Sequence, residues 1–240
     1  MADINLKYDV FIEGELMDLC CPSDKAIYED GWHTWFNDPE ITQFIQQGVF
    51  PNTINDQLEF LESVRKKRDR ILTLIRPKGL DRIVGVASLS SIDFVQRKAD
   101  FAMVIGNRTY KARYKQLIGM EAKCKLIEHA FEVVGVERIL GGQATELAMW
   151  QRWQVLFGYR IEGFQREAFR KGRKVYDVFL TSVLLEDYLR LKELRGGSLW
   201  PGAERLMQLI KMLPKETFEQ KIKRILDDEW KAYYESLTLA

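Results

Sequence analysis

The sequence predicts an α+β, mixed α/β, fold built around one sheet and followed by a helical C-terminal extension. Three observations predict it. Strand and helix signals alternate in the order strand, helices, three strands, helix, strand, helix, two strands, which suits a single sheet covered by helices. Of the 240 residues 46% are hydrophobic, enough for a core that needs no metal or disulfide. The character then changes after Leu184, where helical periodicity continues without further strand signals. We therefore divide the chain into residues 1–185, the domain built on the sheet, and 186–240, a helical extension.

Taken in order, Tyr8 to Cys20 reads as a strand bulged at Gly14, stopped by Pro22. Ser23 and Asp24 start a helix whose apolar stripe is Ala26, Ile27, Trp32, Trp35 and Phe36. Asp38, Pro39 and Glu40 open a short helix to Ile45, since proline is tolerated in a first turn. Asn55 or Asp56 caps a helix burying Leu58, Phe60, Leu61 and Val64. Ile71 to Ile75 and Ile83 to Leu89 form a hairpin across Pro77, Lys78 and Gly79, and Asp100 to Ile105 extends the meander. A long helix spans Leu117 to Val133, with Ile118, Cys124, Ile127 and Phe131 on one face. Arg138 to Gly142 is a strand, Leu147 to Phe157 a helix closed by Gly158, and Tyr159 to Phe169 with Val175 to Val183 a last hairpin. Glu186 to Arg195 is helical. Beyond Pro214 the residues Phe218, Ile222, Ile225, Leu226, Trp230 and Tyr233 recur at helical spacing, an apolar face that packs on something.

Charge and cysteine usage narrow the class. With 36 Lys plus Arg against 35 Asp plus Glu, the net charge of +1 argues against nucleic-acid binding. Cys20, Cys21 and Cys124 are an odd count with no framework spacing, which predicts reduced thiols and a cytoplasmic protein. There is no signal-peptide pattern and no long apolar stretch, so neither secretion nor membrane spanning is expected. His33 and His129 lack partners at ligand spacing, so no metal is expected.

Several phrases agree in order with one family. Val84-Gly85-Val86-Ala87-Ser88-Leu89, Asp100-Phe101-Ala102-Met103-Val104-Ile105-Gly106-Asn107, Gly119-Met120-Glu121-Ala122 and Phe157-Gly158-Tyr159 resemble the GNAT superfamily of acyl-CoA-dependent N-acetyltransferases. Ile12-Glu13-Gly14-Glu15-Leu16, Asn37-Asp38-Pro39-Glu40, Ile161-Glu162-Gly163 and Gly172-Arg173-Lys174-Val175-Tyr176-Asp177-Val178 are similar to its branch of ribosomal-protein N-terminal and amino-sugar acetyltransferases. The resemblance covers roughly residues 8 to 188 and implies a central, mostly antiparallel sheet flanked by helices. It also implies acetyl-CoA as co-substrate and direct transfer to a primary amine of a small molecule, with a nucleotide-linked amino sugar the preferred acceptor and a protein N-terminus second.

The resemblance assigns roles residue by residue. Backbone N–H groups of Met103, Val104 and Ile105 would polarise the thioester, and Asp100 would deprotonate the amine through water. The pyrophosphate would rest on the helix start, through Gly119 and Met120, because unpaired donors and a partial positive charge collect there. Leu117 stands where relatives have a first glycine, and Lys111, Arg113 and Lys115 would compensate with charge. Arg152 matches a residue on the helix that flanks the pantetheine arm. The asparagine and tyrosine of that helix are replaced by Leu147, Trp150 and Gln154, so no tyrosine protonates the leaving thiolate.

Further residues carry alternative readings. Ser88, Ser90, Ser91, Glu13, Glu15 and His33 are acceptor-pocket candidates, although strand-end serines and these glutamates are more usually solvated and a helix-face histidine beside aromatics is more often structural. Two basic clusters, Lys66 to Arg70 and Arg166 to Lys174, would suit a phosphate-bearing acceptor or are solvated faces. Two rival readings stay open: a scaffold that keeps the fold with impaired chemistry, and an acyltransferase using a larger acyl-CoA or an acyl-carrier-protein donor. The C-terminal helices would supply a homodimer or protein-partner surface.

Overall fold

The N-terminal segment folds as a hairpin, not as the single bulged strand expected. In the computed structural model, which describes residues 7–107, 110, 114–216, 218, 220, 222, 231–232 and 235–237, strands β1 (Val10–Glu13) and β2 (Met17–Cys20) pair antiparallel. Gly14 lies in the turn between them. A Cβ there would sit 2.3 Å from the Met17 carbonyl oxygen and 2.6 Å from Glu121 Oε1, so the turn closes only on glycine.

The next segment also divides. Gly31 takes φ 67, which ends α1 (Asp24–Tyr28) and starts α2 (Trp32–Trp35) as a separate helix. Asp38 caps α3 (Pro39–Thr42), accepting the Glu40 N–H at 2.8 Å. The cap of α4 (Ile54–Lys67) is Thr53, with Asp56 as the reciprocal partner: Thr53 Oγ1 accepts the Asp56 N–H at 3.2 Å and Asp56 Oδ2 accepts the Thr53 N–H at 2.8 Å. Neither Asn55 nor Asp56 is the cap, because the helix begins before them and Asp56 occupies its third position.

Strands β3 (Ile71–Pro77), β4 (Gly85–Asp93) and β5 (Lys98–Ile105) form the antiparallel meander. Helix α5 (Lys115–His129) runs on through a π turn, Ala130–Val134, to Gly135 at φ 77. Then come β6 (Arg138–Ala144), α6 (Ala148–Gln154) with a 3-10 turn at Val155–Phe157, the hairpin β7 (Arg160–Lys171) and β8 (Lys174–Leu184), α7 (Leu185–Leu194) and α8 (Ala203–Met212). The eight strands make one sheet in the order β1-β2-β3-β4-β5-β6-β8-β7, in which β5 and β6 alone run parallel.

Strand alternation gives the sheet two cores. Met17, Leu19, Ile75, Leu89, Ile139 and Val183 face α5, whose Leu126 and Ile127 are fully buried. Cys20, Leu72, Leu74 and Val86 face Ile27, Trp32, Trp35 and Leu61. The extension joins the first core through Leu199, Trp200, Ala203 and Leu206. Trp200 Nε1 donates to Glu15 Oε2 at 2.8 Å, and Arg195 donates to the carbonyls of Leu199 and Leu156 at 2.5 and 2.7 Å. Phe218 meets Phe179 edge-on at 5.2 Å. Of the other tail positions in the helical pattern, Ile225, Leu226, Trp230 and Tyr233 lie outside the described residues. No helix among the described residues is long and apolar enough to cross a membrane.

Candidate active site

The one parallel junction positions the site. β5 and β6 pair only from Lys98↔Arg138 to Asp100↔Leu140, after which both strands continue without pairing to one another. On its other edge β5 remains paired to β4 as far as Gly85↔Ile105. Alternate backbone groups of residues 101–105 therefore face the gap with no ladder partner on β6. The gap is a cavity of about 700 Å³, walled by Phe101 to Ile105, Gly141 to Gln143, Leu147, Trp150, Gln154, Tyr159 and, from α5, Lys123.

The other wall comes from the α3 region, Glu40 to Ile45. It is latched by the tip of the β7–β8 hairpin: Lys171 Nζ donates to the carbonyls of Ile45, at 3.1 Å, and Gln47, and Phe44 meets Tyr176 edge-on at 5.3 Å. That use of Lys171, with Arg170 bonded to Glu167 at 3.0 Å, commits two cations of the hairpin's basic cluster to local partners.

The floor is polar in three places. Among the described residues, Gln143 Oε1 and Tyr159 Oη are buried without hydrogen-bond partners. Unpaired buried groups on a cavity wall are what a polar ligand would satisfy. Lys123 Nζ donates to Gln154 Oε1. Its side chain is buried among the rings of Tyr159, Phe101, Phe157 and Trp150, at 3.8, 4.8, 5.1 and 5.6 Å from their centres. Desolvation holds the Lys123 ammonium well below the ordinary lysine range, and pushes the Tyr159 hydroxyl up with a further push from the Asp100 charge.

The expected site residues fall in two groups. Met103, Val104 and Ile105 line the cavity, and Asp100 stands half-buried at its closed end, opposite Leu140 and Ser90. Lys115 is the first residue of α5, and Gly119 lies one turn on, where a Cβ would approach Met103 Cε to 3.0 Å. Met120 is fully buried in the core, so only its backbone is near the helix start. Leu117 is fully buried too, in the main core. Arg152 Nη2 donates to the Leu213 carbonyl at 3.3 Å, on the flank of α6. Lys111 and Arg113 lie outside the described residues.

Three acceptor-pocket candidates have structural duties. Glu15 holds Trp200 and the Ala203 N–H, His33 Nδ1 faces the Ile27 carbonyl at 3.2 Å, and Ser88 is a buried strand residue. Glu121 is also structural: its carboxylate accepts the N–H groups of Glu15 and, at 2.8 Å, Leu16, while burial pushes its own pKa up. Among the described residues no group of three or more His, Cys, Asp or Glu is arranged to hold a metal. Lys123 and Gln143 were not singled out by sequence, and Gln154 and Tyr159 entered only through the family phrases, with no role in the cavity floor. For Lys123 a signal exists, since it sits three and four residues from Met120, Gly119, Leu126 and Ile127, on the apolar side of α5.

Comparison with known proteins gives a consistent result. The family model described as an acetyltransferase (GNAT) domain matches residues 22–146, over half of the chain. The spermidine N-acetyltransferase of Vibrio cholerae, solved with CoA and spermine, is similar at a TM-score of 0.64 and 15% identity, covering 73% of this chain and 99% of that one. A GCN5-related N-acetyltransferase from Brucella melitensis gives 0.61 and 19%, covering 82% and 90%. The microcin self-immunity acetyltransferase MccE, solved with acetyl-CoA and AMP, gives 0.59 and 21%, covering 72% and 94%. No curated protein sequence matches the chain.

Proposed function

The chain belongs to the GNAT acetyltransferase family and is an N-acetyltransferase, and from that premise we propose that it moves the acetyl group of acetyl-CoA to the primary amine of a small molecule by direct attack. The observation that carries this reading is the parting of β5 and β6 after Asp100 and Leu140, which opens the cavity beside unpaired strand backbone. Its two unpartnered polar atoms fit a bound polar ligand.

Backbone N–H groups within Met103 to Ile105 hold the thioester carbonyl oxygen. Fixed donors at that position stabilise negative charge as it develops, without reorganisation. The first turn of α5, through Lys115 and the backbone near Gly119 and Met120, takes the pyrophosphate, with Lys111 and Arg113 adding charge. Arg152 borders the path of the pantetheine arm. Asp100 removes the ammonium proton of the acceptor through a water, since only the neutral amine has a lone pair to attack with.

The acceptor is received against the α3 wall, which the β7–β8 hairpin holds in place. The wall residues Ile41, Phe44 and Ile45 favour an amine carried on a compact apolar or stacking body. A nucleotide-linked amino sugar is one member of that class, and the AMP bound in the similar MccE structure carries a stacking body of the same kind. The described start of the extension, residues 186–216, packs into the core beside α5, and its exposed helical surface is where a second copy or a protein partner would bind.

Calorimetric titration with CoA and acetyl-CoA, followed by thiol release across a panel of polyamines, amino sugars, their nucleotide conjugates and peptide N-termini, tests the reading. One equivalent of bound acetyl-CoA and amine-dependent thiol release are expected. Absence of binding at millimolar concentration would defeat it.

A further inference from the structure

A lysine on the apolar side of a core helix calls for a reason. Lys123 is 1% exposed, lies on the α5 side of the sheet, and forms part of the cavity wall where β5 and β6 separate. Its one hydrogen bond goes to the neutral amide of Gln154. No carboxylate oxygen lies within salt-bridge distance among the described residues. The titratable groups around it are Asp100 at the closed end of the cavity, Tyr159 beneath its Nζ, and Cys124 next along the helix, whose own thiol is pushed up by burial.

The four rings would each favour a cation modestly, and more so when dry. Burying an unpaired ammonium costs several kcal/mol, and a single neutral amide leaves most of that uncompensated. The balance favours the neutral amine, on the wall of a cavity that, among the described residues, already carries an unused hydroxyl donor, Tyr159 Oη.

We propose that Lys123 is itself an acyl-acceptor site: its Nζ takes the acyl group of a thioester seated between β5 and β6, giving Nζ-acetyl-lysine and free thiol. The inference rests on reading that cleft as the acetyl-CoA site. The nitrogen lone pair forms a bond to the carbonyl carbon, the C–S bond breaks with its electron pair on sulfur, and the proton shed by nitrogen passes to that thiolate. Amine and thioester become amide and thiol, and nothing else is consumed. The amide keeps one N–H for Gln154 Oε1, and the new carbonyl oxygen gains an acceptor role toward the unpartnered Tyr159 hydroxyl. The acetyl group then occupies space that the transfer reaction needs, so the modification is self-limiting.

Two measurements on the full chain test this. First, the protein is held with acetyl-CoA at neutral pH in the absence of any amine, digested, and its peptides weighed. One acetyl group on Lys123 is expected, with matching thiol release, and Lys123→Met removes both. CoA binding with Lys123 unmodified overturns the proposal and leaves the acetyltransferase reading intact. Second, p-nitrophenyl acetate, which needs no CoA site, is used at neutral pH. An ordinary lysine is neutral there about one time in a thousand or less, so labelling of Lys123 about a hundredfold faster than the median lysine is expected. Labelling no faster than the median overturns the proposal whether or not CoA binds. Fast ester labelling combined with no CoA binding overturns the thioester as donor and the acetyl-CoA reading together.

Discussion

Lys123 Nζ stands 3.8 Å from the centre of the Tyr159 ring, with both side chains closed off from water in the main core of the sheet. A charge-capable group has been built into the place where α5 packs against the splayed strands. Its presence affects stability as well as chemistry.

The stability consequence has a definite sign. In the unfolded chain Lys123 titrates near the usual value of about 10.4, and burial lowers it in the folded chain. Between the two values the unfolded state binds the extra proton, so folding stability contributed by this site falls as pH falls and is recovered as pH rises toward about 10. Lys123→Met removes the dependence. Chemical denaturation across neutral to mildly alkaline pH should show the wild-type chain gaining on the variant by up to about 1.4 kcal/mol per pH unit. A constant pH-independent offset, of about 1–3 kcal/mol from the orphaned Gln154 oxygen, is expected on top.

Gly106 ends β5 against an indole. A Cβ there would fall 1.9 Å from Trp35 Cδ2, and its N–H donates to the Val84 carbonyl at 3.0 Å. Gly106→Ala must push Trp35 away and with it the second core and the end of β5. A loss of roughly 1–3 kcal/mol is expected by urea denaturation, with weaker acetyl-CoA binding because residues 103–105 shift.

Much of the molecule was legible from residue pattern. The strand and helix order and the meander follow from apolar periodicity and turn residues, which are local, whereas the expectation of a site along β5 rests on the family resemblance. The misread starts were decided by single contacts. Gly14 is a turn because the Glu121 carboxylate, over a hundred residues away in sequence, receives the next two N–H groups. Thr53 replaces Asn55 or Asp56 as a cap because the helix begins before them. The polar floor of the cavity was hidden for a similar reason: Gln143, Gln154 and Tyr159 come from β6, α6 and the turn after α6, and only the fold brings them to Lys123.

Asp100 is the proposed base, acting through water at the closed end of the gap. Asp100→Asn keeps the size and the strand pairing while removing proton uptake. A fall in kcat of about 10²–10⁴-fold is expected, with acetyl-CoA affinity unchanged, measured as thiol release with the best amine of the panel. Full activity in the variant would remove Asp100 from the mechanism.

Hydrogen exchange with and without acetyl-CoA tests the central claim, that the parted strands β5 and β6 and the start of α5 form the donor site. The account predicts slowed exchange in peptides covering residues 101–105 and 114–123 at saturating acetyl-CoA, with the β1–β2 hairpin unchanged. Exchange unaltered in those peptides, or protection confined to another part of the chain, would contradict it.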